Sequence, residues 1–250
     1  MNPWNDLLPL LFFLVAFVCS TVGFAGGSSY LLVLTLAGFS HTQSAPIALA
    51  CNLAVSSVAL WNFAGAGHFR FRLVLPFMAL SMPMAFIGAR IPVGKEAFVL
   101  FLSVCLAFAG LRLTLSRFVS AEPGLPSFRR LWSLGLPAGA LMGFFSGLVG
   151  IGGGIFLSPF LILKRLASVK ETAAAASCFI FVNSLSGLIG KMQHGLIFQG
   201  DWWVLALPAL CGGLAGSRLG SRRLPLLGLE RILGGLILFI SVNLALKALS

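Results

Sequence analysis

The residues best placed to do chemistry are two glycine clusters, Gly23-Phe-Ala-Gly26-Gly27 and Gly150-Ile-Gly152-Gly153-Gly154. Each interrupts an apolar run, 7–39 or 134–163, that is too long for a single membrane-crossing helix. Glycine in a helix interior costs about 1 kcal/mol relative to alanine, so both clusters predict helix breaks. A second arm then begins just after each break, at Ser28-Ser29 and at Ile155. A helix start carries backbone N–H groups without helical partners and a partial positive charge. Two such starts aimed at one cavity make an anion site. In this reading Gly23, Gly26, Gly27, Gly150, Gly152, Gly153 and Gly154 let the backbone approach the ligand, and Ser28 and Ser29 add hydroxyl donors or cap the arm. The competing explanation is close helix packing through small residues. Packing alone does not require two clusters at corresponding positions of two halves.

Asn52, Ser177 and Asn183 lie inside the apolar runs that follow the two clusters. Polar side chains at that depth face a pathway or the bundle interior, and helix-to-helix hydrogen bonding explains them equally well. All six carboxylates, Asp6, Glu96, Glu122, Glu171, Asp201 and Glu230, lie at or outside the ends of apolar runs, which argues against a proton relay at mid-membrane. Glu171 completes Ser168-Val-Lys-Glu171, a capping-box spacing that marks a helix start. His68 and His194 near run ends read as interfacial, as do Arg90 and Arg218. The five cysteines are scattered within apolar runs with no CxxC pair, so neither a disulfide framework nor a metal site is expected. No HExxH, GxSxG or paired intramembrane carboxylates occur, so the chain is expected not to be an enzyme and to hold no cofactor. The glycines of the second cluster lack the GxGxxG spacing of a dinucleotide site.

Those residues need elements to position them, and composition says which. The chain is 58% hydrophobic and 9% charged, with a mean hydropathy of +1.02, against about 25% charged residues in soluble domains. Eight apolar runs follow one another: 7–39, 45–65, 73–91, 97–115, 134–163, 172–190, 202–216 and 232–246. An all-α polytopic membrane protein follows, with the lipid bilayer as its solvent. The net charge of +11 is spread as short clusters between runs, which reads as topology and acidic-lipid contact and not as a nucleic-acid surface. A homo-oligomer is compatible with this composition.

The runs repeat. Gly23 and Gly150, and Cys51 and Cys178, are 127 residues apart, while Gly88-Ala-Arg90 and Gly216-Ser-Arg218 are 128 apart. The chain therefore divides into a first repeat at 1–117, a linker at 118–130 and a second repeat at 131–250. Eight plain crossings would divide Lys and Arg 8 to 9, which gives no bias. If each long run is instead a glycine-broken hairpin returning to its starting side, the division is 13 to 4, with only Arg90, Lys95, Lys191 and Lys247 on the minority side. The positive-inside rule favours the second arrangement. Each half then has a hairpin plus three transmembrane helices and crosses an odd number of times, so the repeats are inverted and both termini face away from the cytoplasm.

The stretch Gly147-Leu-Val-Gly150-Ile-Gly152-Gly153-Gly154-Ile-Phe-Leu-Ser-Pro159, followed by Thr172-Ala-Ala-Ala-Ala-Ser177 and by Asn183-Ser184, resembles the sulfite exporter TauE/SafE family of membrane permeases. A weaker copy runs from Gly23 to Ala45 and departs from the pattern at Ala25 and Ser28. The resemblance covers nearly the whole chain. It implies transport of sulfite, sulfoacetate or a related organosulfonate across a prokaryotic cytoplasmic membrane. It also implies substrate contacts at the glycine segments and at the polar residues of the helices after them. Together the residues and the resemblance predict a multi-pass permease of the cytoplasmic (inner) membrane that carries a small anion by alternating access. The rival expectation is an intramembrane enzyme or assembly subunit on the same scaffold.

Overall fold

In the computed structural model the described residues are 4–91, 127–193 and 202–223, together with helical positions at 100, 103, 104, 107, 108, 110, 111, 235, 238, 241 and 242. Among them the fold is all-helical: α1 (Trp4–Thr21), α2 (Gly27–Leu36), α3 (His41–Gly65), α4 (Phe71–Arg90), α5 (Phe128–Val149), α6 (Gly154–Leu163), α7 (Val169–Met192) and α8 (Trp203–Arg222). The expectations for Lys95, Arg112, Arg117, His194, Arg231 and Lys247, and for most of the linker and of the runs 97–115 and 232–246, fall outside the described residues.

Five helices, α3, α4, α5, α7 and α8, are long and apolar enough to cross a membrane. By contrast α2 and α6 have 10 residues each, about 15 Å at 1.5 Å per residue, or half a hydrocarbon core. Both follow the glycine clusters and begin at Gly27 and Gly154, one residue before the expected starts, because the left-handed residue at each N-cap is Gly26 or Gly153. In the first half the chain doubles back at the break. A Cβ on Gly26 would stand 2.9 Å from Val15, and Tyr30 of α2 stacks on Phe12 of α1 with ring centroids 4.6 Å apart.

Local signals start the long helices. The Ser168 N–H donates to Glu171 Oε2 at 2.8 Å, and the Glu171 N–H donates to Ser168 Oγ at 3.4 Å, so α7 opens on the expected capping box. The corresponding start of α3 carries an equivalent box that the sequence analysis passed over, with the Ser40 N–H donating to Gln43 Oε1 at 3.1 Å. Only the α7 box is charged, and its Glu171 also pairs with Arg70 Nε at 2.6 Å.

Packing between the halves is reciprocal. Gly135, Gly139, Gly143 and Gly147 of α5 lie in ascending order against Pro76, Phe77, Ser81 and Ala85 of α4, so these two helices run parallel at backbone contact. Gly212, Gly216 and Gly220 of α8 lie in the same way against Phe13, Phe17 and Thr21 of α1. Such glycine rows let helices approach where lipid supplies no hydrophobic drive for association. Between these pairs α3 packs on α7.

The Arg70–Glu171 pair, and Lys170 Nζ donating to the Ser221 carbonyl at 3.2 Å, bring the starts of α4 and α7 to the end of α8. From the parallel pairings, α1 finishes toward this end and α5 begins there. The same end gathers Arg70, Arg72, Arg129, Arg130, Lys164, Arg165, Lys170, Arg218, Arg222 and Arg223, whereas Arg90 and Lys191 terminate α4 and α7 at the opposite end. Large apolar side chains such as Trp61, Leu141 and Leu207 point outward, as lipid-facing residues do. Among the described residues three buried apolar clusters fill the interior, one around Phe12, Tyr30 and Leu34, one around Phe77, Leu157 and Phe179, and a small one of Phe63, Ala173 and Ala174.

Candidate functional site

Each break is built from glycines that no other residue replaces without strain. Gly23 (φ 78°) and Gly26 (φ 92°) turn the first, and Gly150 (φ 82°), Gly152 (φ 78°) and Gly153 (φ 78°) turn the second, all in the left-handed region. Gly27 and Gly154 are helical, and what requires glycine there is space. A Cβ on Gly27 would overlap the Asn52 amide and stand 2.8 Å from the Ile151 carbonyl, and one on Gly154 would overlap Ile180.

Each tip leans on a long helix of the other half. The Gly23 backbone lies against Ala173 near the start of α7, and Gly150 lies against Ala45 near the start of α3. Ser177 Oγ holds the first tip, donating to the Gly23 carbonyl at 3.0 Å. The starts of α2 and α6 meet at mid-height, because Asn52, beside Gly27, is the twelfth of 25 residues in α3 and Ile180, beside Gly154, the twelfth of 24 in α7.

A small, open-mouthed cavity with about 20 Å³ of water-accessible space lies between them. Its lining comes from both halves: Cys19 and Phe24 to Ser29 from the first, and Ile151, Gly154, Ile155 and Ile180 from the second. The starts of α2 and α6 face this space with no side chain capping either one. The N–H groups of Gly27, Ser28 and Ser29 at the start of α2, and of Gly154 and Ile155 at that of α6, precede the first backbone bonds of the two helices, Tyr30 N–H to the Gly26 carbonyl and Phe156 N–H to the Gly153 carbonyl, and each helix adds a partial positive charge.

Asn52 completes the arrangement. It is wholly buried, neither atom of its amide has a hydrogen-bond partner among the described residues, and it touches the sites of the missing Cβ atoms on both Gly27 and Gly152. Ser184 Oγ, 2.9 Å from the Gly152 Cβ position, and Ser146 Oγ, 3.2 Å from that of Gly153, are also buried and unpartnered. A buried polar group without a partner costs about 1–3 kcal/mol, so three around one tip mark a place prepared for something polar.

Of the twelve residues expected at the site, Gly26, Gly27, Ser28, Ser29 and Gly154 line the cavity. Asn52 and Gly152 adjoin it, while Gly23, Gly150, Gly153 and Ser177 shape and anchor the tips. Asn183 is engaged elsewhere: its Oδ1 accepts from Ser81 Oγ at 2.5 Å and its Nδ2 donates to the Phe179 carbonyl at 2.9 Å, which ties α7 to α4. The sequence did not mark Cys19, Phe24, Ala25, Ile151, Ile155 and Ile180 as lining. Nothing in an apolar residue of an apolar run distinguishes a wall from a core. Among the described residues no Lys, Arg, Asp or Glu lines the cavity, and no group of three metal-ligating side chains occurs.

The family model for the sulfite exporter TauE/SafE matches residues 8–244. The chain is 32% identical to a probable membrane transporter protein, y4hK, of Sinorhizobium fredii, covering 95% of this chain and 96% of that one. It is 30% identical to a probable membrane transporter protein of Xylella fastidiosa over 83% and 80% of the two chains. Its identity to the probable membrane transporter protein YdhB of Bacillus subtilis is 25%, over 86% and 89%. No solved structure gives a significant match.

Proposed function

The chain belongs to the sulfite exporter TauE/SafE family and is a multi-pass membrane transporter, and on that premise we propose that it is a permease for a small oxyanion, sulfite or an organosulfonate such as sulfoacetate. The observation that carries this reading is the convergence of two uncapped helix starts and the unpartnered Asn52 amide on one cavity at mid-height. Backbone N–H groups of Gly27, Ser28 and Ser29 and of Gly154 and Ile155 supply most of the contacts to the anion, in the manner of half-helix ends in transporters with broken helices.

In this proposal the halves are inverted repeats, a reading supported by α1 finishing at the end where α5 begins and by the exchange of packing partners between halves. Each tip rests on a helix of the opposite half, so rocking one half against the other opens the cavity to one end and then to the other. The arginine-rich end faces the cytoplasm and the protein sits in the cytoplasmic membrane with both termini outside, as the positive-inside rule requires.

The test is flux. Purified protein in proteoliposomes is expected to carry labelled sulfite or sulfoacetate down a gradient. Folded protein that moves no member of a panel of small anions would defeat the permease reading.

A further inference from the structure

Resting on the permease reading, we infer that the site selects its ligand by charge state: it takes a singly charged oxyanion with a neutral apolar substituent in preference to the doubly charged anion of the same shape. The donors at the cavity are all neutral, namely the N–H groups that open α2 and α6, the Ser28 and Ser29 hydroxyls and the Asn52 amide. Among the described residues every Lys and Arg lies at or beyond a helix end, away from the mid-height of α3 and α7 where α2 and α6 start. In the rest of the sequence Lys95, Arg112, Arg117, Arg231 and Lys247 likewise fall at the ends of apolar runs or between them.

Charge squared and charge to the first power decide the outcome. Taking an ion out of water costs free energy that grows with the square of its charge, whereas its attraction to fixed neutral dipoles grows only in proportion to the charge. A dianion therefore incurs about four times the desolvation cost for about twice the dipolar attraction, and this cavity has no cation among its lining to offset the difference. The remaining wall, Phe24, Ile151, Ile155 and Ile180, offers nothing to a second charged group and suits an apolar tail. Among organosulfonates, those with a neutral substituent are thus better ligands than sulfoacetate, which carries two charges.

The experiment compares pairs matched in shape, methanesulfonate against sulfate and acetate against oxalate, as labelled anions in proteoliposomes holding the full chain. Within each pair that moves, the monoanion is expected to move at least tenfold faster. A dianion that moves as fast as its partner overturns the charge-state inference and leaves the permease reading standing. If no anion moves, both fall. Ser29→Lys, which places a cation at a half-buried position on the cavity wall, is expected to narrow the ratio at least fivefold. An unchanged ratio in that variant counts against the inference.

Discussion

Asn52 and Asn183 show how much a single side chain's surroundings decide. Both are asparagines without exposed surface, each in the helix that follows a glycine break. Asn183 has its acceptor Oδ1 satisfied by the Ser81 hydroxyl and its donor Nδ2 by the Phe179 carbonyl, so its role is to join α7 to α4. Asn52 has neither satisfied, and leaving a buried amide unpaired costs about 1–3 kcal/mol. Asn52→Leu, close to it in volume, is accordingly expected to raise the unfolding free energy in detergent by about 1–3 kcal/mol while lowering anion flux at least tenfold. A variant that unfolds more easily and still transports normally would take Asn52 out of the site. The sequence placed both residues at membrane depth and assigned both to the site. It could not separate them, because the partners of Asn183 include Ser81, 102 positions away.

At the scale of elements, glycine serves three distinct ends. Gly23, Gly26, Gly150, Gly152 and Gly153 are needed for their backbone conformation, and Gly27 and Gly154 for room beside Asn52 and Ile180. The rows on α5 and α8 are needed for helix contact: a Cβ on Gly139 would overlap the Phe77 carbonyl. Gly139→Leu is therefore expected to separate α4 from α5 and to destabilise the protein by about 1–3 kcal/mol or more. Gly65→Ala, with nothing within 4 Å of the new methyl group, serves as the control and is expected to be neutral or stabilising by up to about 1 kcal/mol. Thermal unfolding in detergent measures both, and equal effects would mean that the glycine row does not hold the helices together. The breaks were legible in the sequence as clusters inside over-long apolar runs. The contact rows were not singled out, because a glycine every four residues has meaning only once its partner helix is known. The Ser40–Gln43 box was legible by the rule that found Ser168–Glu171, whereas the Arg70–Glu171 ion pair joins residues 101 apart and was not.

Across the whole molecule, the described cations gather at one end, with Arg90 and Lys191 at the other. Cysteines introduced singly at the two termini, with the native cysteines replaced, are expected to react from outside the cell with an impermeant reagent. One placed beside Arg165 is expected to react only after the membrane is opened. The reverse pattern would invert the orientation and remove the charge argument behind it. Apolar length, the glycine clusters inside over-long runs and the placement of charge at run ends were enough to determine an all-helical membrane protein whose first and fifth apolar runs each break at their glycines. These properties are periodic or additive along the chain, so they survive being read one residue at a time. Which helices cross-pack, that the starts of α2 and α6 share one cavity at mid-height, and that Asn52 is left unpaired while Asn183 is not, depend on contacts between residues a hundred or more positions apart. Only the tertiary structure decided them, because small apolar side chains of an apolar run are chemically alike until their neighbours are fixed.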